Sequence, residues 1–286
     1  MALPVGTVIR DTYVVDKFLG RGAFGSVYQV RHRFMGLQAV KVFEHASPQV
    51  SRDGLIAEAA ILASLNHPNL VRIFEANRLD EGLGGNIYIA MEHVSGGTLF
   101  QVVEHAVRLQ TISAIKVGVQ LAEGLSVAHS YRPPIVHRDI TLQNILVSDF
   151  SSHGTPQVKL ADFGLAQHVH PESQMASVAG TIEYLPPEAA DGYYTTRSDV
   201  YSLGIVLYRL LTGVYPYPLG NNRDLSTRVG VRSAITRRRD PPAPPSEFRL
   251  GIPKALDDIA LQALAPEPAN RYANAAQLRD SLVHLL

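Results

Sequence analysis

The sequence predicts an α+β protein of two lobes, a small antiparallel sheet lobe with one main helix and a larger, mostly helical lobe. Two observations carry this. Up to Val94 the chain reads as short alternating apolar segments around a single helical stretch, and beyond it as helical periodicities separated by proline clusters. The expected units are therefore 1–94 and 95–286. With 286 residues, 46% of them hydrophobic, the chain is long enough to bury a core in each, and it contains no internal repeat.

The elements follow in order. "YVVDKFLG" and "SVYQVRHRF" read as strands on either side of the glycine-rich "GRGAFG", and "LQAVKVF" as a third, so three successive antiparallel strands are the simplest pairing. Residues 51–66, "SRDGLIAEAAILASLN", have helical periodicity with Leu55, Leu62 and Leu65 on one stripe. Glu58 falls on that stripe, so a carboxylate points at the core and calls for a cation. "NILV" and "QVKLADFG", joined by a polar turn, form a hairpin. "ISAIKVGVQLAEGLSVAHSY" and "SDVYSLGIVLYRLLTG" are the two longest helices, and "ALDDIALQALA" and "NAAQLRDSLVHLL" close the chain as amphipathic ones. The clusters "RPP", "LPP", "YPYP" and "DPPAPPSE" mark the joints, and "RRR" at 237–239 reads as a solvated loop.

Composition excludes several classes of function. Twenty-six basic and twenty-six acidic residues cancel, so no global field favours nucleic acid or an anionic membrane. There is no cysteine, hence no disulfide or thiolate chemistry, as suits a reducing cytoplasm. The most apolar long segment, "VYSLGIVLYRLLTG", carries Arg209 and is too short to span a bilayer, and the N-terminus lacks a signal-peptide pattern. The expected location is the cytoplasm, as a stand-alone chain or as the cytosolic part of a longer protein.

Gly20, Gly22 and Gly25 are followed by a strand rather than a helix, which rules out a dinucleotide-binding turn. A glycine hairpin can still bring N–H groups close to phosphate. Lys41 shares a strand face with Ala39 and Phe43, so its ammonium needs an anion, and the inward Glu58 is the obvious one. Only five of the 26 basic residues are lysines. Hairpin pairing places Asn144, just before one strand, beside Asp162, just after the other: an amide oxygen and a carboxylate suited to Mg²⁺. With Asp139 five residues before Asn144 in "HRDITLQN", these are the parts for phosphoryl transfer.

Together they resemble a eukaryotic-type (Hanks-type) serine/threonine protein kinase catalytic domain, over about Asp11 to the C-terminus. The resemblance implies a bilobal kinase fold that transfers phosphoryl groups from ATP, with Mg²⁺ or alternatively Mn²⁺, to serine and threonine hydroxyls of proteins. Gly20, Arg21, Gly22, Ala23, Phe24 and Gly25 would cover the phosphates, Val27 and Ala39 the adenine, and Leu146 would also bind the nucleotide. Lys41 would hold phosphates while paired to Glu58. Met91 would guard a back pocket, and the backbone of Glu92 and Val94 would pair with adenine. Asp139 would be the catalytic base, Asn144 and Asp162 the metal ligands, and His137 a packing element.

"SVAGTIEYLPPE" resembles the end of an activation segment. Thr181 would lie against the base, Ser177 would be the phosphosite, Arg138 its phosphate receiver, and Glu188 the partner of Arg271. Asp199 would tie the catalytic loop to its helix, a helix N-cap being its local alternative. The proline loop and final helices are similar to those of bacterial signalling kinases. The partners implied are ATP, a protein substrate and, transiently, a second copy for autophosphorylation in trans. Thr141 stands where such kinases carry a lysine, so an ATP-binding scaffold without full activity stays open as the alternative. A small-molecule kinase is the weaker one, since those enzymes lack a "GTIEYLPPE"-like segment.

Overall fold

The computed structural model describes residues 3–22, 25–43, 52–106, 108–150, 154–163, 182–218, 228–236 and 238–286. The chain divides into two compact units. One comprises the residues up to His67 with Val71–Val94, the other Pro68–Leu70 with the described residues from Ser95 on.

The first unit is a six-stranded antiparallel sheet. β1 is Val8–Ile9, β2 Tyr13–Gly22, β3 Gly25–His32, β4 Gly36–Phe43, β5 Ile73–Arg78 and β6 Ile87–Glu92, in the spatial order β1-β2-β3-β4-β6-β5. Period-two alternation in β2, β3, β4 and β6 sends Tyr13, Val15, Tyr28, Val30, Val40, Val42, Tyr88 and Ala90 to one face, where they form a buried cluster with Ile9 and Leu79. Helix α1, Arg52–Ala63, packs on β5 and buries Leu62. It ends sooner than its periodicity predicts, because the Ser64 and Leu65 N–H groups close tighter bonds to Ile61 and Leu62, at 3.0 Å each.

The second unit is built around α3, Thr111–His129, and α4, Thr196–Thr212. α4 is apolar on nearly every side and lies in the interior, with Val200, Leu203, Ile205, Val206, Leu210 and Leu211 all buried. Its first turn is closed by a capping box in which Thr195 Oγ1 accepts from the chain and Ser198 Oγ accepts the Thr195 N–H at 3.0 Å. Around these pack α2, Leu99–Ala106, α5, Arg228–Thr236, α6, Lys254–Ala263, and α7, Ala275–Val283. At Gly204 α4 meets α6 so closely that a Cβ would sit 2.9 Å from that of Ala263. The hairpin of β7, Ile145–Phe150, and β8, Pro156–Leu160, lies against α3.

One expectation is corrected here. Arg238, the middle of "RRR", is 1% exposed rather than solvated. Its guanidinium is turned onto the carbonyl groups that follow residue 181, which give a cation the partners a surface loop would have left to water. Among the described residues no helix is long and apolar enough to cross a membrane.

Candidate active site

In the first unit the strand register collects the expected nucleotide residues on the sheet face opposite the core. Gly20 pairs with Val27, Val27 with Lys41, and Lys41 with Ile89, so these four form one row across β2, β3, β4 and β6. Ala39 pairs with Met91 in the neighbouring row. Directly opposed residues share a face, so Val27, Ala39, Lys41 and Met91 lie on one surface. The Lys41 ammonium is 5.6 Å from the Phe43 ring centroid, and its stem is buried. Glu58 is on α1, but its side chain lies outside the described residues, so the expected ion pair is not described.

The glycines do different work. Gly22 pairs with Gly25, and Ala23 and Phe24 between them lie outside the described residues. Among the described residues a Cβ on Gly20 or Gly22 would meet nothing within 4 Å, which leaves room there for a phosphate; exposed Arg21 sits between them. Gly25, at φ 152°, is there for a different reason: a Cβ would sit 2.0 Å from the Val42 carbonyl oxygen. The Glu92 N–H donates to Arg72 O at 2.9 Å, so it is not the group a purine would find there. Val94 follows, half-buried.

In the second unit the loop carrying Asp139 and the hairpin close on each other. Ala161 N–H donates to Asn144 O at 2.8 Å, extending the β7–β8 pairing by one step and setting Asp162 immediately beyond. Asn144 Nδ2 donates to the Asp139 carbonyl at 2.9 Å and to Asp139 Oδ2 at 2.8 Å. Both acceptors are oxygens, so the amide orientation is forced, and Oδ1 is the atom a cation would take. The oxygen-only donor set of Asn144 and Asp162 fits Mg²⁺. Leu146, half-buried on β7, is bridged to Thr98.

Thr141 is 3% exposed. Its Oγ1 and its carbonyl both accept from the Asn144 N–H, at 3.3 and 3.1 Å, so it braces the turn that carries Asn144.

His137 joins the two loops. Its Nε2 donates to Ala161 O at 3.0 Å while Nδ1 accepts from the Asp139 N–H at 3.3 Å, which makes the ring a neutral tautomer. Burial pulls its pKa below the usual range, against the opposing pull of Asp199 and Asp139. Phe163 packs on the ring at 4.5 Å.

Arg138 and Asp162 both have left-handed backbones, φ 68° and 61°, conformations held only where surroundings impose them. For Arg138 the constraint is Asp199, whose Oδ1 accepts its N–H at 2.8 Å while Oδ2 accepts that of His137 at 2.7 Å. Thr195, not Asp199, is the N-cap of α4. The Arg138 guanidinium lies 5.8 Å from the Tyr194 ring centroid.

A residue that motif reading did not single out is His129. The Ala275 N–H donates to its Nδ1 at 3.2 Å, so Nε2 carries the proton and donates to Asp199 Oδ2 at 3.0 Å. At the last turn of α3 it reads as a basic side chain on a helix C-terminus, and only tertiary structure gives it this role. Glu188 and Arg271 form the expected pair, with bonds of 2.7 and 2.9 Å, and Ser198 Oγ adds a third at 2.8 Å. Ser177 and Thr181 lie outside the described residues.

This arrangement defines a protein kinase domain, and comparison with known proteins agrees. The protein kinase domain family matches residues 13–283. A "probable serine/threonine-protein kinase" of Clostridium perfringens is 34% identical over 97% of this chain and 39% of its own length. The serine/threonine-protein kinase PknB of Mycobacterium tuberculosis is 34% identical over 97% of this chain and 43% of its own. The crystal structure of the Mycobacterium tuberculosis PknI kinase domain superposes with a TM-score of 0.73 at 26% identity, covering both chains fully. The chain therefore belongs to the protein kinase family, as a bacterial-type serine/threonine kinase domain. It spans about two fifths of the length of the curated relatives it matches.

Proposed function

We propose that this chain transfers the γ-phosphoryl group of ATP to serine and threonine hydroxyls of proteins, its own among them. The observation that carries this reading is the Asn144 side chain, held by Asp139 through its nitrogen, on a residue whose carbonyl accepts the N–H of Ala161, the residue before Asp162. The Asp139 carboxylate would accept the hydroxyl proton as the substrate oxygen bonds to the γ-phosphorus and the bond to the β,γ-bridging oxygen breaks, releasing ADP. Asn144 and Asp162 would hold Mg²⁺, which neutralises phosphate charge when bound. Gly20, Gly22 and Lys41 would take the phosphates, Lys41 with Glu58 as its anion. Val27, Ala39, Leu146, Met91 and the backbone at Glu92 and Val94 would surround the base.

We assign residues 1–94 to the nucleotide-binding lobe and 95–286 to the catalytic lobe, acting in the cytoplasm. Arg138 would receive a phosphate placed on Ser177 by a second copy of the chain. A second reading, an ATP-binding scaffold, is favoured by one observation: Thr141 offers no cation where related kinases carry lysine.

One experiment separates the two. The purified chain is incubated with γ-labelled ATP and Mg²⁺, alone and with generic protein substrates, beside Asp139→Asn. Label on serine or threonine is expected with the wild type and reduced on the order of 10²- to 10⁴-fold in the variant, with Ser177 in the labelled autophosphorylation peptide. A wild type that binds ATP but labels nothing overturns the kinase reading in favour of the scaffold.

A further inference from the structure

Ile182–Tyr184 is a single 3₁₀ turn that continues from Thr181 and ends at Leu185, before Pro186 and Pro187. Its hydrogen bonding is unusual because side chains reach the carbonyl groups of all four residues from 182 to 185. Arg238 Nη2 donates to Ile182 O at 2.7 Å, and Arg238 Nη1 donates to Glu183 O at 3.3 Å and to Leu185 O. Ser202 Oγ of α4 donates to Tyr184 O at 2.9 Å. Among the described residues Arg238 makes no ion pair, although it is 1% exposed.

A buried guanidinium facing main-chain dipoles is an expensive way to fill space, since an apolar side chain of similar volume would pack there without desolvating a charge. What the planar fork offers is geometry: several N–H groups fixed in one plane can set several carbonyls at once. The surroundings hold the fork itself in place. Its residue closes α5 through an N–H bond to Ile235 O at 3.1 Å, its guanidinium lies 5.5 Å from the Tyr217 ring centroid, and Ile182 inserts beside Val231 and Ala234 of the same helix.

The turn so fixed reaches the catalytic loop. The link runs through α4: Ser202 Oγ donates to Tyr184 O, and Asp199, three residues earlier on that helix, accepts the N–H groups of His137 and Arg138. We propose that Arg238 is a positioning residue for the protein substrate. By gathering the carbonyls of 182–185 it sets the backbone that follows Thr181 against the loop carrying Asp139, and so aligns the incoming hydroxyl without touching nucleotide. This rests on the kinase reading above.

The test is steady-state phosphorylation of a generic protein substrate by wild type, Arg238→Met and Arg238→Lys, with KM measured separately for protein and for ATP. Arg238→Met, which keeps the volume and removes the fork, is expected to lower kcat/KM for protein about 10- to 100-fold, the scale of an ångström-level misplacement. KM for ATP should stay at the wild-type value. Arg238→Lys, with donors but no fork, should fall between.

If Arg238→Met does not fold, Ser202→Ala carries the test, since it keeps the helix and cuts the bond to Tyr184 O; it should raise the protein KM alone. Wild-type kinetics in a folded Arg238→Met, or equal losses for ATP and protein, overturn the assignment. If it does not fold, a Ser202→Ala with an unchanged protein KM does so. A wild type that labels no protein overturns the kinase reading first, and the assignment with it.

Discussion

Glu188 offers a clean measure of how much this fold depends on a buried charge pair. Its two oxygens take Arg271 Nη1 and Nη2 at 2.7 and 2.9 Å, and the side chains are 14% and 0% exposed respectively. Removing one partner of such a pair typically costs about 3–5 kcal/mol, mostly because the other charge stays buried and uncompensated. Two features argue for the lower end. Arg271 keeps the carbonyls of Ala265, Pro266 and Arg197 and the Tyr201 ring, 4.7 Å away, and Glu188 touches solvent.

Glu188→Ala should therefore lose about 3 kcal/mol, which in a chain of this size lowers the melting temperature by roughly 6–12 °C. Adding Arg271→Met should recover part of that loss, because the stranded charge goes too. Urea unfolding of both singles and the double closes the cycle. A loss under about 1 kcal/mol in Glu188→Ala, or a double that is simply additive, would refute the view that desolvation governs this site.

Three further outcomes are expected. Gly25→Ala should cost about 2–4 kcal/mol, since its Cβ meets the Val42 carbonyl at 2.0 Å. Gly20→Ala should leave the melting temperature near wild type and raise KM for ATP, and a thermal shift with nucleotide titration compares them. His137 makes stability depend on pH. Its folded pKa is lowered, so the unfolded chain binds the extra proton; stability is full above pH about 6.5 and is lost as pH falls below it toward the folded value. The urea midpoint should thus drop between pH 7.5 and 5.5 by more in wild type than in His137→Phe, and equal drops would count against a neutral buried imidazole.

What could be read in advance follows from how local each cause is. β2, β3 and β4 alternate Val, Tyr and Ala with polar residues, and β7 and β8 frame a polar turn, so pairing alone put Asn144 beside the residue before Asp162. β5 could not be read this way: "IFEANR" is half-buried at five of its six positions, because it is an edge strand with α1 packed on it, and its polar residues break the alternation. α2 and α5 are only eight and nine residues long, too short for periodicity to separate from chance. Arg238 has chemically identical neighbours at 237 and 239, so nothing in "RRR" marks which of the three turns inward. His129 was hidden for the same reason, since its partners Asp199 and Ala275 are 70 and 146 residues away.

Asp199 and Arg238 solve one problem with opposite charges. Irregular backbone near an active site has no ladder to satisfy its N–H and C=O groups, yet burial demands partners for them. Asp199, 1% exposed, gathers two main-chain N–H groups of the turn before Asp139, and His129 Nε2 donates to it while its Nδ1 accepts from the Ala275 N–H. Arg238, equally buried, gathers carbonyls of the turn after Thr181. An uncharged side chain could satisfy one such group; a carboxylate or a guanidinium satisfies several at once and fixes their relative orientation. The desolvation of each charge is offset only while the turn keeps the shape that presents those dipoles together. That makes both turns stiff where chemistry needs stiffness, and it explains why a loop without regular structure can hold Arg138 at a left-handed φ of 68°.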